Sequence, residues 1–114
     1  MNKHILFVMR SLDNPELFTE EEKEANNRNA QSAAVAAYAG AGAGAAAEAD
    51  AANAVAAAVA AEWAAYATEW AAYAAANSAA YDTDWAEYWV NKFFKRAGED
   101  KQTYIDEVER LKGE

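Results

Sequence analysis

Few residues in this 114-residue chain are of types that do chemistry, and they are scattered. His4 is the single histidine and cysteine is absent, so disulfides, thiolate metal sites and cysteine nucleophiles are excluded together. A Ser-His-Asp triad or a multi-histidine metal site would have to be assembled around His4, close to a terminus. The absence of thiols fits a reducing compartment. Asp82, Asp84 and Glu87 would suit a divalent cation, but three carboxylates at the start of a helix serve more readily as caps and dipole partners. No acid/base pair stands out, so the expected class is a protein that is not an enzyme and uses no cofactor or metal. The remaining chemistry is aromatic: all four tryptophans lie between Trp63 and Trp89, interleaved with tyrosines.

Val59, Trp63, Tyr66, Trp70, Tyr73, Asn77, Tyr81, Trp85 and Tyr88 span 29 residues in eight steps, a mean spacing of about 3.6, the period of a straight α-helix. That spacing predicts one aromatic stripe, with Trp89 beside it. The segment from Glu62 to Thr68 is nearly repeated from Glu69 to Ala75, which is two heptads and too short for a sustained coiled coil. Three uses compete for the stripe. It would supply the bulk that alanine lacks, covering a thin helical layer or, if left uncovered, joining copies in a homo-oligomer, with an isologous dimer favoured. It would stack flat bases and act as a sponge for a nucleotide signal, with Lys92, Lys95 and Arg96 as the nearby cations for its phosphates. Or it would serve as the contact face for another protein.

The elements that must carry these residues follow from composition. Alanine accounts for 33 residues, and the larger apolar types Leu, Ile, Val, Phe, Met and Trp for only 22, so the chain is mainly helical and a thick core is not expected. The predicted class is all-α, a small helical bundle built around a long Ala-rich helix with the Trp/Tyr stripe, forming a single domain over residues 1–114. Three zones are visible. Residues 1–31 are amphipathic, residues 32–80 are dominated by alanine and carry only Glu48, Asp50, Glu62 and Glu69 as charges, and residues 81–114 return to ordinary composition.

Ile5, Leu6, Met9 and Leu12 recur at helical spacing, and Asn14-Pro15 predicts a stop followed by a restart with proline in the first turn. Thr19 with Glu22 has the capping-box pattern and sets another helix start, with Glu20, Glu21 and Glu22 at the positive end of its dipole. Gly40, Gly42 and Gly44 each cost about 1 kcal/mol in a helix interior, so a turn at 40–44 is favoured over a continuous helix in which Gly40 and Gly44 permit close backbone approach. No strand or Lys-Ser/Thr pair accompanies them to make a phosphate loop. Asn77-Ser78 and Asp82-Thr83-Asp84 predict that the long helix stops near 77 and restarts near 82. Gly98 behind Lys95-Arg96 reads as a C-cap, and a last helix runs from about Asp100 to Lys112 with Tyr104, Ile105, Val108 and Leu111 on its packing face.

The net charge of −9 opposes broad binding of nucleic acid or anionic membrane, which need Lys and Arg. It admits a fourth reading, an acidic mimic whose Glu20, Glu21, Glu22 and Glu24, or Asp82, Asp84 and Glu87, imitate phosphates. Thr19, Thr68, Thr83 and Thr103 lack the regular spacing that ice binding would need. The apolar run Ile5 to Met9 is shorter than a secretory core and ends at Arg10, and acidic residues interrupt the alanine tract, so neither a signal peptide nor a membrane span is expected.

The opening Asn2-Lys3-His4 with Phe7-Val8-Met9-Arg10 and Asp13-Asn14-Pro15-Glu16-Leu17-Phe18-Thr19, the alanine-rich middle, then Tyr88-Trp89-Val90-Asn91-Lys92-Phe93-Phe94 and Gly98-Glu99-Asp100-Lys101, together resemble short alanine-rich proteins encoded by tailed bacteriophages. The resemblance covers about the first 20 and the last 30 residues, the middle matching in composition alone. It brings no catalytic or binding residue with it. It implies a small phage accessory product in the cytoplasm of the infected bacterium, acting by binding, with a host defence protein as one candidate partner.

Overall fold

The computed structural model describes the backbone of residues 1–47 and 52–113 and the side chains of residues 1–39 and 63–113. Five α-helices are found there, α1 Lys3–Asp13, α2 Glu20–Ala47, α3 Ala52–Tyr81, α4 Ala86–Ala97 and α5 Lys101–Lys112, with a 3₁₀ turn at Thr83–Trp85 between α3 and α4. The all-α class stands, and the described residues contain no strand. None of these helices is long and apolar enough to cross a membrane.

Local chemistry sets most of the boundaries. Asn2 caps α1, its Oδ1 accepting from the N–H groups of His4 and Ile5. The helix ends at Asp13, but the proline that follows opens no new helix: residues 15–18 form turns, and Phe18 stacks on Phe7 with ring centroids 3.9 Å apart. The restart comes at the capping box, where Glu22 N–H donates to Thr19 Oγ1 at 3.1 Å and Thr19 N–H donates to Glu22 Oε1 at 3.0 Å. At the other end Gly98 adopts φ 68° and its N–H donates to the Phe94 carbonyl, and Asp100 caps α5 through Gln102 N–H at 2.9 Å.

One expected break is absent and another falls later than expected. The glycines at 40, 42 and 44 lie inside α2, which continues to Ala47. Their propensity cost is outweighed by the alanines around them and by the packing of α2 along α3, the most extensive helix pair among the described residues. Likewise Asn77 and Ser78 do not stop α3. Ser78 is buried in its last turns, and the helix ends at Tyr81, where Asp82 turns the chain without a side-chain cap. Glu48 and Asp50, and the side chains of Val59 and Glu62, lie outside the described residues.

α2 and α3 run antiparallel as a long hairpin, and the molecule is correspondingly elongated, 52 × 26 × 24 Å. Its core is at one end. Ala71, Ala72, Ala75, Ala76 and Ala79 of α3 form the inner face, and Ile5 and Val8 of α1, Ala30 of α2, Ala86, Val90, Phe93 and Phe94 of α4 and Tyr104 of α5 close around them. The alanines let the helices approach closely, and the bulk comes from the surrounding helices. Tyr104 and Val108 anchor α5, whereas Ile105, expected on the packing face, is exposed.

Candidate functional site

The described residues of the Trp/Tyr stripe are not in the buried core, although Tyr73 and Trp89 pack against its edge. Tyr66, Trp70 and Tyr73 lie roughly 140–180° round α3 from Ala75, so when the alanine face turns inward the stripe must turn outward. Trp63 is 39% exposed and Trp70 44%. The chain thus leaves half-bare the residues expected to supply its bulk.

Nor is the stripe one straight row. The break at Asp82 divides it into two groups. In the first, Trp63 meets Tyr66 edge to face at 5.7 Å, Tyr66 leans on Trp70 at 6.3 Å, and Trp70 meets Tyr73 at 5.2 Å. In the second, on the 3₁₀ turn and α4, Trp85 meets Tyr88 at 5.7 Å and Tyr88 meets Trp89 at 5.2 Å. Tyr81 stands at the end of α3, 63% exposed.

A residue outside the sequence-predicted set joins the first group. Tyr38 of α2 lies 5.7 Å from Trp63 and 5.2 Å from Tyr66. With it, Gln31, Ala34 and Val35 of α2 and Tyr66, Trp70 and Tyr73 of α3 line an open groove of about 220 Å³ along the hairpin. Its wall on α2 follows the i, i+3, i+4, i+7 pattern of one helix face, a signal present in the sequence but hidden among alanines. Gln31 is the one polar aliphatic side chain in that lining.

The three expected anion contacts lie on α4 and none lines the groove. Arg96 Nη1 donates to the Ala67 carbonyl of α3 at 3.2 Å, Lys92 Nζ lies 5.6 Å above the Tyr88 ring, and Lys95 is exposed. Lys92 thus serves the second aromatic group, Arg96 reaches α3 between Tyr66 and Trp70, and no cation lines the groove itself.

His4 is buried, with Nδ1 3.3 Å from Asn26 Oδ1, while Asn26 Nδ2 donates to the His4 carbonyl at 3.4 Å. This pair ties α1 to α2. Among the described residues no three His, Asp or Glu side chains converge as a metal site would require, and Asp82, Asp84 and Glu87 are all exposed. The strongest chemical feature on the surface is thus the aromatic groove between α2 and α3. No protein-family model, no curated protein and no solved structure matches this chain.

Proposed function

We propose that this chain is a non-catalytic binding protein that works through the aromatic face of its α2–α3 hairpin. One observation carries the reading: Tyr38, Trp63 and Trp70 remain 54%, 39% and 44% exposed in a chain with few large apolar residues, although alanine would hold the hairpin's helical form equally well. Tryptophan and tyrosine are the side chains that most often dominate binding energetics. The resemblance to alanine-rich phage products supplies the setting, an accessory protein acting by contact in the infected bacterium, with a host defence protein or a second copy of the chain as the classes of partner.

A nucleotide is the poorer occupant, because its phosphates would find no cation in the groove lining. An acidic mimic is less supported still, since the acidic runs Glu20–Glu24 and Asp82–Glu87 sit at helix starts while the groove lining carries no charge. The test is site-specific photo-crosslinking in expressing bacteria. A crosslinker in place of Val35 gives discrete adducts that vanish with Trp70→Ala, while one in place of Thr103 does not. Equal diffuse labelling from both positions would overturn the reading.

A further inference from the structure

Resting on that reading, we infer that the molecule seated on the aromatic face is a second copy of this chain, joined hairpin to hairpin about a two-fold axis. Three observations select this occupant. First, among the described residues no third layer covers the hairpin where the aromatics begin. The buried residues nearest them are Ala34 on α2 and Ala71 on α3, while Val35, Ala36, Ala39, Ala64 and Ala65 are exposed together with Tyr38 and Trp63. Four alanines there are exposed, whereas helices are ordinarily held by packing an apolar face against another element.

Second, the groove lining carries no charged side chain in a chain of net charge −9. From Gln31 to Ala47 α2 has no charged residue, and between Trp63 and Tyr81 α3 has Glu69 alone, whose Oε1 accepts from Asn2 Nδ2 at 3.4 Å. A basic partner would find no carboxylate in that lining and an acidic one no cation, whereas the same uncharged lining on a second copy buries no unpaired charge.

Third, the area and relief suit self-contact. The half-exposed aromatic side chains leave on the order of 100 Å² each, and with the bare alanines beside them the face approaches the roughly 800 Å² per partner of a standard interface. The ridge Trp63, Tyr66, Trp70, Tyr73 borders the groove closed on its other side by Gln31, Val35 and Tyr38, so each copy offers both a ridge and a groove. A two-fold axis pairs them reciprocally.

Sedimentation velocity across a micromolar concentration series tests this on the full chain, with circular dichroism to confirm folding. The wild type sediments as a dimer. Trp63→Ala/Trp70→Ala and Val35→Glu each stay helical and dissociate at least about thirtyfold more readily, the effect of losing one hot spot. Trp85→Ala, in the other aromatic group, leaves the dimer intact. A dimer that resists the first two variants, or is lost with Trp85→Ala alone, overturns the inference. A wild-type monomer also overturns it. In that case, heterologous adducts from position 35 in cells would leave the binding reading standing, and their absence would remove both.

Discussion

The Tyr104 hydroxyl accepts a hydrogen bond from the backbone N–H of Asn2 at 2.6 Å and so fastens α5 to the start of α1 across 102 residues of sequence. The same hydroxyl donates to Glu99 Oε1 at 2.7 Å, and the ring is wedged against Phe94 with centroids 4.8 Å apart. Replacing Tyr104 by Phe keeps the ring and removes both bonds. The expected loss is about 1–2 kcal/mol of unfolding free energy, because the Asn2 N–H is left without its partner. Urea titration of the two proteins measures it.

That tyrosine also predicts an alkaline limit. Burial pushes the Tyr104 pKa up to about 12, with the Glu99 carboxylate adding to the rise and the Asn2 N–H working against it. The folded protein therefore keeps this proton to higher pH than the unfolded chain does. The stabilisation is whole below the ordinary tyrosine pKa of about 10 and is lost as pH rises from there through about 12. Melting curves over that window should fall more steeply for the wild type than for Tyr104→Phe; parallel slopes would contradict the assignment.

Size has opposite consequences on the two faces of α3. Ala75 is fully buried at the helix contacts, so Ala75→Leu should cost about 1–3 kcal/mol or more by forcing the helices apart. Trp70→Ala removes a much larger side chain from a position 44% exposed, and the single chain should lose less stability from it than from Ala75→Leu. Thermal melts of both variants decide the order. If Trp70→Ala proved the more damaging at concentrations where the chain is monomeric, the aromatic face would be structural.

Gly98 is the one described residue with positive φ, at 68°, and a methyl group added there would meet nothing within 4 Å. Gly98→Ala isolates the cost of a left-handed backbone, about 1–2 kcal/mol, with no clash mixed in. Denaturant unfolding monitored by tryptophan fluorescence gives the value, and an unchanged midpoint would mean that α4 ends differently in solution.

At the start of α2 the paired bonds between Thr19 and Glu22 are exposed, so each is worth little in packing and something in capping. Thr19→Ala should destabilise by about 0.5–2 kcal/mol. The double variant with Glu22→Ala should cost less than the sum of the single changes, since each leaves the other's bond in place but weakened. Strict additivity would deny the reciprocal cap.

The helical class, the capping box at Thr19, the C-cap at Gly98 and the last helix were legible in the sequence because they depend on neighbours a few residues apart. So was the 3.6-residue spacing of the aromatics. What spacing leaves open is which side of α3 faces inward. A helix this rich in alanine has no side-chain volume to mark its interior, and both an alanine face turned in and an aromatic face turned in satisfy the period. The choice was made by α1, α4 and α5, whose Ile5, Val8, Phe93, Phe94 and Tyr104 bring enough bulk to close over alanine and leave Trp63 and Trp70 outside. The glycines of α2 follow the same rule. Local propensity counts the roughly 1 kcal/mol that each costs, whereas the continuity of α2 to Ala47 is sustained by its contact with α3 along the hairpin. Tyr38 belongs to the aromatic face only because that hairpin brings it to Tyr66, 28 residues further along the chain. Where helices begin and end at strong caps, and what repeats along them, follow from neighbours in the chain. Only the tertiary packing decided what is inside, because burial is a property of the partners a face finds and not of the face alone.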